Sequence, residues 1–393
     1  MLPRVKIQFQ NGALNQVTPS PDGLLGLLLS GVAVADTFAL LTVYILRSLV
    51  DLQRLGVSKE NNAFIYKTVA EFYAEAGEGT EVRLMAVPAA TTLTEMADPD
   101  GTIGKAFINS ANGALRGLII SREPDGTYVP TITNGMDADV ATALAKAQQL
   151  AEWATDVKFA PVFVIVDGYA YSGNPVDLTD LKAFNYNRVG VFVGSTISGA
   201  KNASVGVLAG KIAGSAVHKN VGRVIAGPIA STTAFISDKA VEVADVESLN
   251  DKGYITFRTF TGRAGYFFSD DHLATAAGDD YSHLTARRTI DKAYRIIYTT
   301  MLEILLQEFP VNPDGTIQPA IAKAWEAEAE QDVALAMTAN GELSSIDGDS
   351  GIQCEIVKGI NIVATGKLNM VARVRPFGYA RFVDVMLGFT TIN

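Results

Sequence analysis

The sequence predicts a mixed α/β fold, and two observations carry that prediction. Continuous β-branched runs at 162–166 (VFVIV) and 189–194 (VGVFVG) are typical of strands that are buried on both faces of a sheet. Helical segments alternate with these runs, which predicts a layered arrangement with parallel strand pairing. At 393 residues the chain exceeds the size at which one hydrophobic core keeps growing, so two or three domains are expected.

The first half of the chain alternates strands and helices. Residues 24–46 are long and apolar enough to cross a bilayer, but Asp36 in their middle favours two buried strands joined by a turn. Apolar periodicity and capping residues then predict helices at 48–55, 61–76 and 178–184, a strand at 82–87, and a helix opened by Asp137 and Asp139.

A helix rich in small residues is predicted after the second β-branched run. Its Gly206, Gly210 and Gly214 recur at steps of four residues. That spacing allows the backbone of another element to approach closely.

The second half contains the clearest predicted helix, at 285–309, which Pro310 ends. Another helix begins near Pro319 and stops at Asn340 and Gly341. Alternating and apolar segments predict strands at 352–365, 368–374 and 382–390.

The chain also opens on a predicted strand. Val5, Ile7 and Phe9 alternate with polar residues, which is the period-two pattern of a half-buried strand. Turn-forming residues at 11–22 separate this strand from the first apolar block, so we expect it to be tethered and to need a partner sheet.

Composition excludes several classes of protein. The chain has 42 acidic and 32 basic residues, a net charge of −10, and no basic cluster, which argues against binding to nucleic acid. The single cysteine, Cys354, cannot form an internal disulfide, so a reducing cytoplasm is the expected place of folding. The first ten residues lack the basic segment and apolar run of a secretion signal.

Candidate catalytic motifs are incomplete. The loop 194–202 follows a strand as a phosphate loop does, but Ala200 occupies the lysine position and no Ser or Thr follows it. Ser172 lacks the glycine-flanked elbow of a serine nucleophile. Cys354 lies in an apolar alternating segment and is expected to be a buried structural thiol. We therefore predict no catalytic and no cofactor-binding residue.

One acidic loop contains residue types that bind metal ions. His272 and His283 belong to a loop that also contains Asp270, Asp271, Asp279 and Asp280, but the two histidines lack the i, i+4 spacing of a helical ligand pair. A solvated loop is the expectation, with no metal assigned.

The C-terminal third resembles the contractile tail sheath family. Residues 253–307 (GYITFRTFTGRAGYFFSDDHLATAAGDDYSHLTARRTIDKAYRIIYTTMLEILLQ) give a strand pair marked by glycine, an acidic loop, a Tyr-Ser-His turn and a long helix opened by arginines. Residues 203–227 resemble the family's Ala/Gly helix, and residues 63–87 resemble its helix-to-strand passage. The resemblance runs in order over about 35–390, although the acidic loop lacks the usual Thr-rich sequence and the chain is short.

The resemblance implies a structural subunit with a multi-domain sheath-like fold. We expect an N-terminal arm and linker at 1–22, outer α/β domains at 23–250, a C-terminal α/β sheath domain at 251–375 and a C-terminal arm at 376–393. Hexameric rings of the subunit would stack helically around an inner tube and contract to drive that tube through a target envelope. Terminal strands of neighbours would join a sheet of the C-terminal domain.

The implied partners are further copies of the chain, an inner tail tube protein, and baseplate and tail terminator proteins, without nucleic acid or membrane insertion. The implied location is a virion tail or contractile injection particle that is assembled in the bacterial cytoplasm. The residues predicted to mediate contacts between subunits are those of the two strand arms, Val5, Ile7, Phe9, Val383, Val385, Leu387 and Phe389.

A tube-facing helix is also predicted at 319–338, with four exposed acidic residues: Glu326, Glu328, Glu330 and Asp332. An ordinary solvated helix face is the alternative for these residues. For the whole chain, the alternatives are an α/β enzyme that binds a small phosphorylated ligand at 194–202 and another self-assembling tube or shell protein.

Overall fold

The computed structural model describes residues 21–389, and the chain divides into two compact units, residues 1–295 and 296–393. The predicted N-terminal arm residues Val5, Ile7 and Phe9 lie outside the described residues. Residues 251–295, which the sequence analysis grouped with the C-terminal domain, belong to the first unit.

The first unit is built on a large mixed sheet. The strands of this unit, including those outside the large sheet, are β1 (Leu25–Ser30), β2 (Val43–Leu46), β3 (Val82–Val87), β4 (Gly117–Ser121), β5 (Ile132–Thr133), β6 (Met136–Asp137), β7 (Phe163–Asp167), β8 (Asn185–Tyr186), β9 (Val189–Val193), β10 (Phe235–Ile236), β11 (Lys239–Ala240), β12 (Ile255–Phe260), β13 (Arg263–Phe268) and β14 (Ala274–Thr275). Its helices are α1 (Leu49–Arg54), α2 (Ala63–Ala76), α3 (Leu93–Ala97), α4 (Ile103–Ser110), α5 (Ala138–Asp156), α6 (Val205–Ala213) and α7 (Val246–Asp251).

The main sheet has the strand order β13-β12-β9-β7-β4-β1-β3-β2. The six inner strands from β12 to β3 pair in parallel, and the edge strands β13 and β2 pair antiparallel. The β-branched runs form β7 and β9, which pair in parallel as predicted. Every residue of β1, β4, β7 and β9 is buried, because helices cover both faces of a parallel sheet of this kind.

The small-residue helix α6 packs directly on α2. A Cβ atom placed on Gly206 would lie 2.1 Å from the Thr68 carbonyl oxygen, and one on Gly210 would lie 2.4 Å from the Phe72 carbonyl oxygen. Only glycine permits this separation, so the predicted close approach of another backbone is confirmed.

The second unit contains α9 (Pro319–Val333), a π-helical turn at Ala334–Thr338, and the strands β15 (Ile352–Ile356) and β16 (Met370–Val374) with α10 (Ile362–Thr365) between them. The division between the units falls within α8 (Leu284–Glu303). A small core of its own joins α9 to β15 through Ile317, Ala322, Trp325 and Ile356.

Some element boundaries differ from the prediction. Helix α8 ends at Glu303 and not near 309, and Leu306 adopts a left-handed conformation (φ +63°) that breaks the helix. The predicted strand 352–365 ends at Ile356, since Gly359 turns the chain (φ +83°) and the Asn361 side chain caps α10. The predicted helix at 178–184 is reduced to a short 3-10 turn at Leu181–Ala183.

Residues 24–46 contain β1 and β2, joined by a loop; β1 is buried as predicted, whereas only Leu46 of β2 is buried. Within residues 21–389, the helices are too short or too polar to cross a membrane.

Candidate functional site

The second unit carries a two-stranded antiparallel sheet. Strand β15 pairs with β16 in a register that runs from Ile352 opposite Val374 to Ile356 opposite Met370. Alternate β15 side chains are buried, among them Cys354. Burial raises the pKa of the Cys354 thiol to about 11, so the cysteine is the buried structural thiol that the sequence predicts.

The outer edge of β15 is closed by two carboxylates of α9. Glu330 Oε1 accepts a hydrogen bond from the Cys354 N–H at 2.7 Å, and Glu326 Oε1 accepts one from the Ile356 N–H at 2.8 Å. Four residues of helix rise about 6 Å and two residues of strand rise about 6.6 Å. The spacing of Glu326 and Glu330 along the helix therefore matches the spacing of the Ile356 and Cys354 N–H groups along the strand.

This arrangement corrects the predicted exposure of the α9 acids. Glu326 is only 3% exposed and Glu330 is half-buried, because both serve the edge of β15. Asp332 is half-buried as well and accepts a hydrogen bond from Thr300 Oγ1 at 2.6 Å. Of the four predicted residues only Glu328 is exposed. The i, i+4 spacing of Glu326 and Glu330 was visible in the sequence, but the strand that they serve was not.

The pKa of Glu326 reflects two opposing effects. Burial by itself raises the pKa, whereas hydrogen bonds from Lys323 and from the Ile356 N–H favour the ionised carboxylate. The net pKa is lowered, so Glu326 is a charged acceptor at neutral pH.

The outer edge of β16 is open. The Val357 N–H donates to Asn369 O and the Arg375 N–H donates to Gly351 O, both at 2.8 Å, so odd-numbered residues of β16 point their backbone groups at β15. The groups of Met370, Ala372 and Val374 consequently point away from β15. Within residues 21–389, no further strand pairs with this edge.

The C-terminal segment is exposed and rich in apolar side chains. Residues 375–389 form no strand within the described part of the chain, and Val383, Val385, Leu387 and Phe389 are all exposed. Exposed apolar side chains in such a run mark an interaction surface. Among residues 21–389 no strand pairs with residues 382–389, and the arm assignment stays a prediction.

Most of the N–H groups at the start of the loop 194–202 are already engaged within the protein. A phosphate loop needs several free backbone N–H groups that point to one spot. Here the N–H groups of the loop and its flank donate within the protein, from Ser195 to Phe235 O, Thr196 to Ser204 Oγ, Ile197 to Ser195 Oγ, Gly199 to Ser237 O, Ala203 to Asp167 Oδ1 and Ser204 to Gly194 O.

The crevice in which α/β enzymes bind ligands is also occupied. Strand order reverses between β1 and β4, and ligands bind outside the carboxyl ends of the strands at such a point. There the Ser30 hydroxyl accepts from the Glu123 N–H at 2.6 Å, and the buried Arg122 guanidinium stacks on Tyr128 and bonds Asp139 at 3.3 Å. The polar groups at this edge hold the fold together.

Asp167 lies at the same edge and is fully buried. Its carboxylate accepts hydrogen bonds from the Ser121 hydroxyl and from the Ala203 N–H. Burial raises its pKa to about 7, and the two hydrogen bonds limit that rise.

The acidic loop is solvated only at its tip, where residues 276–278 and Asp280 are exposed, and the predicted solvated loop is wrong for its base. His272 and His283 pair across its base, and Asp271 is fully buried, where it accepts a hydrogen bond from the Thr285 N–H at 2.8 Å. Burial and the neighbouring Asp270 raise the pKa of Asp271. The fold brings Asp270, His272 and His283 together although they are spread over fourteen positions of the chain.

The architecture is that of the contractile sheath proteins. A sheath protein of the PVC extracellular contractile injection system, in the contracted state, aligns over 99% of this chain and 97% of its own, with a TM-score of 0.63 and 14% identity. The helical sheath of the anti-feeding prophage, also contracted, aligns over 99% of both chains, with a TM-score of 0.64 and 17% identity. A sheath tail protein from Listeria innocua covers 93% of this chain and 97% of its own, with a TM-score of 0.52 and 11% identity.

Family models cover nearly the whole sequence. The model described as DUF2586, N-terminal domain, matches residues 2–272, and that described as DUF2586, C-terminal domain, matches residues 280–392. The chain therefore belongs to the DUF2586 family. Comparison with curated proteins gives no match.

Proposed function

We propose that this chain is the sheath subunit of a contractile tail or contractile injection system. Stacked hexameric rings of the subunit surround an inner tube and contract to drive it through a target envelope. The observation that carries the proposal is the alignment of almost the entire chain with sheath subunits of the PVC and anti-feeding prophage particles. The engaged donors of the loop 194–202 count against the alternative of an enzyme with a phosphorylated ligand.

Subunits join by strand addition. The C-terminal arm 376–393 of one copy pairs with the two-stranded sheet of a neighbour, which supplies main-chain hydrogen bonds and buries the apolar alternation of the arm. The N-terminal arm with Val5, Ile7 and Phe9 adds a second link of the same kind. Because such contacts run head to tail and need not close, they propagate into a helical stack.

The edge that receives an arm is that of β16. The edge of β15 already has its Cys354 and Ile356 N–H groups occupied by Glu330 and Glu326. An arm arriving there would have to displace two hydrogen bonds to carboxylates, which contribute about 1.5 to 3 kcal/mol each. At β16 the arm meets outward-facing backbone groups without such competition.

The other partners follow from the same assignment. The subunit contacts an inner tail tube protein, baseplate proteins and a tail terminator protein, and it resides in a virion tail or injection particle that is assembled in the bacterial cytoplasm. The α9 face that carries Glu328 is the proposed tube contact, since Glu326 and Glu330 are engaged with β15. Co-sedimentation with tube protein tests this contact, and Glu328→Lys should abolish it.

Negative-stain electron microscopy of the purified chain tests assembly. The full chain should form cylinders, and a chain that ends at residue 375 should remain monomeric with an unchanged circular dichroism spectrum. Val385→Asp should also block assembly, whereas Met386→Asp, on the alternate face of the arm, should interfere less. Cylinders formed by the shortened chain would contradict the proposal, and a different diameter or symmetry would indicate another kind of tube or shell.

Disulfide cross-linking tests which edge is used. Arg373 of β16 and Glu355 of β15 both have exposed side chains, so Arg373→Cys and the matched Glu355→Cys can each be combined with single cysteines at 383–387. Arm pairing at β16 predicts a ladder of multimers on a denaturing gel with the Arg373 variant and little with the Glu355 variant. The reverse pattern would place the arm at β15.

A further inference from the structure

Two of the three histidines of the chain lie side by side in the first unit. His272 and His283 sit at the two ends of the loop between β13 and α8, with their ring centroids 5.0 Å apart. Asp270 completes the group, and its Oδ2 lies 3.7 Å from His283 Nε2. One ligand atom from each of these three side chains lies within 4.8 Å of the others.

The geometry is close to that of a metal site. Two ligands of a tetrahedral metal, each at about 2.1 Å from the ion, lie about 3.4 Å apart. The Asp270 and His283 atoms are near this separation. Since all three atoms lie within 4.8 Å of one another, the widest pair needs to close by at most roughly 1.4 Å.

Each of the three side chains is also oriented by a neighbour. His272 Nε2 lies 3.2 Å from Asn250 Oδ1, an acceptor, and a hydrogen on Nε2 would leave the Nδ1 lone pair for the metal. His283 Nδ1 bonds the Ser282 hydroxyl at 3.0 Å, and Asn220 Nδ2 donates to Asp270 Oδ1 at 2.5 Å. Outer contacts of this kind set the tautomer and direction of metal ligands.

One of the proposed ligand atoms is buried without a hydrogen-bond partner among the described residues. His283 Nε2 is buried and makes no hydrogen bond to any described residue. Leaving a buried nitrogen in this state costs free energy, and a metal ion at this position would remove that cost.

We propose that Asp270, His272 and His283 bind a divalent transition-metal ion of the zinc class. Two imidazole nitrogens and one carboxylate oxygen are a donor set that suits Zn²⁺, Co²⁺ and Ni²⁺ more than Ca²⁺ or Mg²⁺. Water supplies the remaining position. The ion clips the two ends of the loop 270–283 together, immediately before the first turn of α8. All three ligands belong to one chain, so the site does not require a residue from a second copy.

Metal binding is measured on the full-length protein without an affinity tag. Isothermal titration with ZnCl₂ should give one ion per chain, and Co²⁺ should produce the visible absorption bands of a low-symmetry site with nitrogen and oxygen ligands. His283→Gln and Asp270→Asn should each weaken Zn²⁺ binding by well over tenfold. Asn250→Ala, which removes only an orienting contact, should weaken it by about tenfold.

The third histidine provides the matched control. His218 lies outside the cluster, so His218→Gln should bind Zn²⁺ as tightly as the unsubstituted chain. Zn²⁺ should also raise the Tm of the unsubstituted protein in proportion to the logarithm of its concentration, a measurement that needs no variant. Absence of stoichiometric Zn²⁺ binding to the unsubstituted chain, or equal loss with His218→Gln and His283→Gln, would overturn the proposal whether or not the chain assembles.

Discussion

The contact between α2 and α6 makes a sharp test of the packing. In Gly206→Ala the new methyl group would lie 2.1 Å from Thr68 O and 2.9 Å from Thr68 C, both of which belong to the α2 backbone. Side-chain rotation cannot relieve this overlap, so one helix has to move. Overpacking of this kind costs up to about 3 kcal/mol, and the better helix propensity of alanine returns about 1 kcal/mol. The expected net loss of stability is about 2 kcal/mol.

The same helix offers a control for this substitution. A methyl group on Gly214 would have its nearest contact at 3.4 Å, an ordinary van der Waals distance, and Gly214 has a right-handed conformation (φ −78°). Gly214→Ala should therefore leave stability within about 0.5 kcal/mol of the original value.

Urea unfolding followed by tryptophan fluorescence can read this effect in the first unit alone. Trp153 lies in α5 of the first unit and Trp325 lies in α9 of the second. When all variants also carry Trp325→Phe, the tryptophan fluorescence comes from Trp153 alone. At an m-value of about 3 kcal/mol/M, the Gly206→Ala midpoint should fall by about 0.7 M. An unchanged midpoint, or an equal fall for Gly214→Ala, would refute the packing argument.

Three further predictions concern buried polar groups. Glu326→Ala should destabilise the second unit by about 2 kcal/mol, because the buried Ile356 N–H loses its acceptor. Urea unfolding followed by Trp325 fluorescence measures this loss, and Glu328→Ala, at an exposed position, should change the stability little. Equal effects of the two substitutions would contradict the role of Glu326 in capping the edge of β15. Burial raises the folded pKa of Asp167 to about 7, above the unfolded value of 3.8, so its contribution to stability is complete below about pH 3.8 and is lost as the pH rises towards 7. Asp167→Asn should remove that part of the pH dependence, and parallel stability profiles of the two proteins between pH 4 and about 7 would show the argument to be wrong. The Cys354 thiol should react with a thiol reagent only after urea unfolding, and rapid labelling of the native protein would show that β15 opens.

Local patterns were sufficient for several elements of the first unit, but they missed β4 and the helices α3 and α4. The runs that became β7 and β9 were readable because a strand buried on both faces is apolar at every position. The glycine spacing of α6 was readable because residues four apart share one face of a helix. In both cases the sequence predicts the surface that an element presents to its surroundings.

The structure was needed where the partner of that surface is distant in the chain. Glu326 and Glu330 lie beside an apolar stripe of the helix, a pattern that usually marks a solvated face. In the structure β15 packs beside them, and both carboxylates accept hydrogen bonds from its backbone N–H groups. The loop 194–202 has the composition of a ligand loop, and only its hydrogen bonds to Phe235, Ser237 and Asp167 show that its donors are engaged.

By itself the sequence determined the α/β class, the parallel pairing of β7 with β9, the buried thiol and the resemblance to sheath proteins. Periodicity and composition are properties of short segments, so they report which faces must be buried. The tertiary structure alone decided that β15 is closed while β16 is open, and that His272 meets His283 beside Asp270. Those features depend on contacts between separate segments of the chain, where loop closure and competition among partners select the contact and no local pattern records it.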